Sequence, residues 1–196
     1  MSEEILNIKI VLIGEARVGK SCILQRYTRD VFEESGAPTL GVSFLSKKLI
    51  IKKQPLKLNI WDTAGQERFS SLTKLYSRDA QIVVFVYDIT SKTTFERMKI
   101  WHQTLKHEGF DENVVYAVVG NKEDLVEEEE VPLSEAKSFA ESLGACYYKT
   151  SAKFNQGIDE MFIGVCEKYV TRSSYVESNN INLSEVGPKR KKTCCN

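Results

Sequence analysis

Eight consecutive residues, Gly14-Glu15-Ala16-Arg17-Val18-Gly19-Lys20-Ser21, have the spacing of a loop that wraps a chain of phosphates. Two glycines let the backbone curl until successive N–H groups point inward as an anion nest. The amides of Ala16, Arg17, Val18, Gly19, Lys20, Ser21 and Cys22 are the candidate cradle. Lys20 would reach the terminal phosphates, and the Ser21 hydroxyl would hold Mg²⁺. The helix that starts at the second glycine adds its positive dipole end.

Three further groups stand where strands are expected to end. Asp62-Thr63-Ala64-Gly65-Gln66 offers a carboxylate for a Mg²⁺-bound water (Asp62), a backbone N–H for a γ-phosphate (Gly65) and an amide to orient water (Gln66). Thr39, in an earlier loop, supplies a second hydroxyl for the metal. Asn121-Lys122-Glu123-Asp124 places an acid, Asp124, to accept from both N1–H and the 2-amino group of guanine, a pattern adenine cannot offer. Thr150-Ser151-Ala152-Lys153 can supply a backbone N–H to the guanine O6. A base site read by hydrogen bonds discriminates far more strongly than one read by shape.

The elements that position these groups follow from periodicity. Residues 8 to 13, 81 to 88 and 114 to 120 are nearly continuous apolar runs, as in strands covered on both faces. Val42 to Ile51 and Leu56 to Trp61 read as a strand pair turned at residues 52–55, with Leu56, Leu58 and Ile60 on one face and Lys57, Asn59 and Trp61 on the other. Helices are predicted over 20–29, 93–106, 134–143 (with Ser134 as N-cap) and 158–170, and a last strand over 145–148. Strands alternating with helices give an α/β fold: a six-stranded, mostly parallel sheet with one antiparallel strand and helices on both faces. Ligands then sit beyond the carboxyl ends of the strands, at residues 14–21, 62–66, 120–124 and 149–153.

Residues 1–170 read as the folded domain and 171–196, rich in Ser, Asn, Glu and Lys, as a flexible tail. The chain's 42% apolar and 28% charged residues suit a globular core, and its zero formal net charge gives no reason to expect nucleic-acid binding. The acid run Glu127 to Glu130 is expected to be a solvated loop. The five cysteines have neither metal-ligand nor disulfide spacing, and Cys22, Cys146 and Cys166, which sit in apolar or helical patterns, read as small core residues. No apolar run approaches the roughly 18 residues of a membrane span, and Met1-Ser2-Glu3-Glu4 is no signal peptide, so the chain is expected on the cytosolic side.

With these motifs the chain resembles a Ras-superfamily small GTPase, a P-loop NTPase G-domain, and within that superfamily a Rab. The likeness covers residues 7 to 170 and rests also on Leu40-Gly41-Val42-Ser43-Phe44, Lys57-Leu58-Asn59-Ile60-Trp61, Arg68-Phe69-Ser70-Ser71-Leu72-Thr73 and Val86-Tyr87-Asp88-Ile89-Thr90. Residues 39–45, with Gly144-Ala145 and Lys149-Thr150-Ser151-Ala152-Lys153, are most similar to Rabs of the early endocytic pathway. The resemblance implies a monomeric GDP/GTP switch with Mg²⁺, in which residues 33–42 and 63–77 order around the γ-phosphate. Hydrolysis, slow without an activating protein, would then depend on Gln66, Lys20, Thr39 and Gly65. Phe32 matches the aromatic that packs on guanine; Phe44, Trp61 and Tyr76 match an aromatic triad read by effectors. Cys194 and Cys195, after Lys189-Arg190-Lys191-Lys192, match a doubly geranylgeranylated ending; Thr193 occupies the C-a-a-X cysteine position, so ordinary farnesylation is not expected. Implied partners are effectors, an exchange factor, an activating protein, escort and GDP-dissociation-inhibitor chaperones, and the cytoplasmic face of endocytic or other vesicular membranes.

Three positions depart from the family pattern. Ala16 replaces Gly or Ser beside the γ-phosphate, where an extra methyl would slow hydrolysis. Arg17 is expected to face solvent. Asp79 replaces a Gly, which predicts a backbone that avoids positive φ. The residues alone also leave room for a nucleotide-dependent scaffold that scarcely hydrolyses, and for a nucleoside kinase, although no lid or acceptor site is evident.

Overall fold

The computed structural model describes residues 4–33, 41–63, 78–107 and 114–184, with side chains described up to residue 173. Strands β1 (Leu6–Ile13), β2 (Val42–Ile51), β3 (Gln54–Thr63), β4 (Ile82–Asp88), β5 (Val115–Asn121) and β6 (Cys146–Thr150) form one six-stranded sheet in the order β2-β3-β1-β4-β5-β6. Only the β2–β3 pairing is antiparallel; β1–β3, β1–β4, β4–β5 and β5–β6 are parallel. The helices among the described residues are α1 (Lys20–Arg29), α2 (Lys92–His107), α3 (Leu133–Ser142) and α4 (Ile158–Ser184), with a 3-10 turn at Glu123–Glu128. This is the α/β architecture that the alternating pattern predicts.

Each apolar run now has two roles. Along β4, all seven residues are buried; Ile82, Val84 and Val86 pack under α1 and α4, while Val83, Phe85 and Tyr87 pack under α2 and α3. On the first face Tyr27 of α1 stacks on Phe162 of α4, with ring centroids 3.8 Å apart. On the second, Phe95 of α2 meets Phe139 of α3 edge-on, and the Lys99 ammonium lies 4.3 Å from the Phe95 ring centre while pairing with Glu96 and Glu135. His102 of α2 lies edge-on to Phe85, Tyr116 and Phe139, and burial lowers its pKa.

Several local expectations are corrected. The β2–β3 turn is only Lys52-Lys53; Gln54 and Pro55 already belong to β3. Pro132, not Ser134, is the N-cap of α3, because the Pro132 carbonyl accepts the first helical N–H, from Ala136, at 3.1 Å. Asp79 does adopt positive φ, 59°. Asp tolerates the left-handed region better than most residues, and one tertiary and one local bond hold the turn: Lys9 Nζ donates to Arg78 O at 2.6 Å, and Gln81 Nε2 donates to Asp79 O at 3.1 Å. The acid run is not wholly solvated, since Glu129 is half-buried and pairs with Lys149 at 3.1 Å. Cys166 is buried as expected, but Cys22 and Cys146 are only partly so. The last helix runs on to Ser184; no Gly or Pro stands between Val165 and Ser184 to stop it.

Lys52 and Lys53 carry φ of 48° and 70°, the positive values that a two-residue hairpin turn requires and glycine adopts without steric cost. Lys53 is exposed. Lys53→Gly is therefore expected to stabilise the fold by about 0.5–1 kcal/mol, read as a higher urea midpoint with unchanged slope.

Candidate nucleotide site

The site forms where β1, β3, β5 and β6 end on the same edge of the sheet. After β1 the chain passes Gly14, where a Cβ would run into the Val86 carbonyl of the neighbouring strand. Arg17 (φ 65°) and Gly19 (φ 94°) then reverse the local curvature, which turns successive amides toward the concave side. Ile23 N–H bonds the Gly19 carbonyl at 2.9 Å and starts α1, so the helix N-terminus faces the same hollow. Arg17 is exposed, as its sequence reading has it, and Ala16 is half-exposed.

Lys20 is buried, and its Nζ donates to the carbonyls of Gly14 at 2.8 Å and Glu15 at 2.9 Å. Burial lowers its pKa to about 8; the Asp62 and Glu15 carboxylates offset part of that desolvation. A buried ammonium bonded to carbonyls, its charge only partly offset by those two carboxylates, favours an arriving phosphate. Ser21 Oγ donates to Asp62 Oδ2 at 2.5 Å, linking the first turn of α1 to the end of β3. Thr63 Oγ1 fixes that strand end by donating to the Leu12 carbonyl of β1 at 2.8 Å.

The second half of the site is built on β5 and β6. Asn121, the last residue of β5, donates from Nδ2 to the Val18 carbonyl at 2.8 Å, and its Oδ1 accepts from Thr150 Oγ1 at 3.0 Å. A Cβ on Gly19 would overlap that same Asn121 amide. Lys122, at φ 68°, pairs with Asp88 at 2.5 Å, and Asp88 also accepts from Thr90 N–H and Oγ1. Ser151 Oγ donates to Asp124 Oδ1 at 2.5 Å and accepts from Phe154 N–H at 3.2 Å. Ala152 is buried and Lys153 exposed.

Arg26 is the residue that sequence reasoning missed. From α1 its Nε donates to the Ala152 carbonyl at 2.9 Å and one terminal nitrogen to the Lys153 carbonyl at 3.2 Å. The other terminal nitrogen binds the carbonyl and carboxylate of Asp30, at 3.0 and 2.9 Å. Its guanidinium carbon also lies 6.0 Å from the Phe32 ring centre. One fork thus ties α1, the turn after it and the loop after β6. On a helix read only for its apolar period, an Arg on the polar side carries no signal of such a role.

Phe44 and Trp61 are register partners on β2 and β3, with ring centroids 5.1 Å apart. Thr39, Gly65, Gln66, Tyr76, Cys194 and Cys195 lie outside the described residues.

The donor set fits both a nucleotide and Mg²⁺. Curled amides and a buried ammonium suit phosphates. The Ser21 hydroxyl and Asp62 carboxylate are hard oxygens already facing one another, and Mg²⁺ takes few protein ligands beside water and phosphate. Among the described residues no larger cluster of His, Cys, Asp and Glu competes as a metal centre.

An open parallel sheet with a phosphate loop after its first strand and polar loops after its last two defines a P-loop nucleotide-binding domain. The family model described as "Ras family" matches residues 9–171. Among similar proteins, Ras-related protein Rab-31 of Homo sapiens is 40% identical over 193 residues, covering 97% of this chain and 98% of its own. Ras-related protein Rab-21 of Homo sapiens is 43% identical over 186 residues, covering 94% and 82%. The chain belongs to the Ras family and is a Rab-type small GTPase: a switch in membrane trafficking that binds guanine nucleotide, hydrolyses GTP and works through regulators and effectors.

Arg26→Leu should leave the fold intact but release the loop after β6. GDP affinity is expected to fall roughly tenfold, the scale of one charge-assisted hydrogen bond. If the loop's contact with the base O6 is what is lost, the diphosphate of 2-aminopurine riboside, which has no O6, should lose far less. Titration calorimetry with the two ligands reads the difference; an equal loss would mean general loosening.

Proposed function

We propose that this chain is a Mg²⁺-dependent GTPase switch of the early endocytic type, held on the cytoplasmic face of a vesicular membrane by two lipid chains. The observation that carries the chemistry is the Ser21–Asp62 contact. It brings a phosphate-loop hydroxyl to a carboxylate at the end of β3, where the metal's oxygen ligands are needed. Ser21, Thr39 and Asp62 are the residues that would hold Mg²⁺ in the nucleotide complex, Asp62 through a water. The metal would supply charge neutralisation of the phosphates.

The protein's own residues do the rest. Ala16 to Cys22 cradle the phosphates, Lys20 neutralises them, and Asp124 reads the guanine edge with Ser151, Ala152 and Lys153 behind it. Asn121 and Lys122 brace the base loop, and Phe32 covers the base. Gly65 contacts the γ-phosphate and Gln66 orients the attacking water. Single-turnover hydrolysis tests this: Gln66→Leu should keep GTP binding yet lose most turnover. A wild-type rate in that variant, with an activating protein present, would remove Gln66 from the role.

Residues 171–196 act as the tether, and Phe44, Trp61 and Tyr76 as the effector patch. One isoprenoid gives marginal membrane binding, whereas two chains, or one with a basic run, hold stably. Lys189 to Lys192 add roughly 1 kcal/mol each against an anionic leaflet. Among the described residues no helix is long and apolar enough to cross a membrane. Cys194→Ser with Cys195→Ser is expected to retain GTP binding and release the protein to the cytosol, scored by fractionation. Mass spectrometry of the native protein should find two isoprenoids, and an unmodified C-terminus on a membrane-bound pool would overturn the anchor.

A further inference from the structure

The outer face of β2, β3 and β1 carries a charge arrangement that folding does not explain. Register pairs on that face are Phe44 with Trp61, Ser46 with Asn59, Lys48 with Lys57, and Ile50 with Pro55; Asn7 and Lys9 of β1 continue the rows of Lys57 and Asn59. Lys48 and Lys57 are thus directly opposite one another, a like-charge pairing that weakens a sheet. Neither has an acidic partner within 4 Å among the described residues. The three strands contain one acid, Asp62, and alternation puts it on the opposite face.

The neighbouring lysines are satisfied. Lys47, facing inward, donates to the Tyr27 carbonyl at 2.7 Å, lies 3.7 Å from the Tyr27 ring centre and is 3.8 Å from Asp159. Lys9 donates to the Arg78 carbonyl, lies 5.3 Å from the Trp61 ring centre and is attracted by Asp79. Lys48 is exposed and Lys57 half-buried, and among the described residues neither ammonium has a hydrogen-bond or ion-pair partner. At either end of the lane stand apolar groups: Phe44, 48% exposed, beside Trp61, and Ile50, 72% exposed.

We propose that this face docks an acidic helical segment of a protein partner, with apolar residues at the segment's two ends over Phe44–Trp61 and Ile50, and carboxylates at its centre over Lys48 and Lys57. Phe44 to Ile50 spans roughly 20 Å at strand rise, which a helix of about 13 residues covers. Charge complementarity favours such a partner, because a carboxylate between the two ammoniums turns their repulsion into two attractions. The proposal rests on the effector reading of Phe44 and Trp61 and adds the chemistry of what they meet.

The test uses the full chain loaded with a non-hydrolysable GTP analogue. The probe is a labelled helical peptide of about 13 residues with Leu and Trp at its ends and Glu at its centre, read by fluorescence anisotropy against its Gln counterpart. The Glu peptide is expected to bind at least about tenfold more tightly, and less so as salt rises. Lys48→Glu with Lys57→Glu should abolish that preference and transfer it to a Lys-centred peptide, with thermal stability unchanged or lower only within error of the wild type. Equal binding of Glu and Gln peptides, binding of neither, or an unchanged preference in the double variant would overturn the proposal. So would Lys48- and Lys57-dependent binding to phosphatidylserine vesicles in preference to the peptide, which would assign the face to the membrane. Phe44→Ala separates the two readings. If it weakens the GTP form alone while the charge variants do nothing, only the charge proposal fails; if it affects the GTP and GDP forms alike, the effector reading fails.

Discussion

The side-chain amide of Asn121 is the constraint on which the site depends. It sits between the Val18 carbonyl and the Thr150 hydroxyl, with both of its polar ends used and buried. The phosphate loop, the end of β5 and the end of β6 are therefore one unit rather than three loops. Gly19 is needed at the same place, since any side chain there would enter the space of that amide. An interaction buried this deeply is costly to leave half-made, which is how a short polar side chain can set the spacing between phosphate and base subsites.

Around this centre the fold places rigid support below and adaptable contacts above. Two apolar layers hold the sheet from either side, so strand ends are fixed to within the tolerance of a packed core. Above them, the Ser21–Asp62 and Ser151–Asp124 bonds join hydroxyls to carboxylates that a ligand can replace with its own oxygens and N–H groups. Lys20, held by two carbonyls in a buried position, has its charge only partly compensated. A site of this kind is preorganised in geometry and leaves electrostatic gain for the nucleotide to supply.

The same sheet serves two surfaces of different character. Strand alternation sends Asp62 to the nucleotide side and Trp61, its neighbour, to the outer face. A rearrangement at the end of β3 would therefore be felt on both sides at once, a direct mechanical route between the nucleotide site and the outer aromatic pair. Lys47 and Lys48 repeat that division on β2, one bound to α1 and α4, the other facing outward beside Lys57.

Much of this was legible in the sequence because it is local. The Gly14-to-Ser21 spacing, the alternation of Leu56, Leu58 and Ile60, and the doubly covered run of β4 are set by dihedral preference and burial, and they determined the fold class and the location of the site. Where the sequence misled at Asp79, a neighbour distant in the chain took part: Lys9 reaches across 69 residues to the Arg78 carbonyl and holds the turn in which Asp79 takes positive φ, with Gln81 bonding it locally. At α3 the miss was local, because the Pro132 carbonyl, not the Ser134 side chain, begins the helix. Only the tertiary structure revealed the Asn121 bridge, the Arg26 fork reaching across 126 residues to Ala152, and the opposed Lys48–Lys57 pair. Periodicity reports which side of an element is apolar; which distant carbonyl an outward-facing side chain meets depends on how the elements are packed, and that is fixed only when the chain has folded.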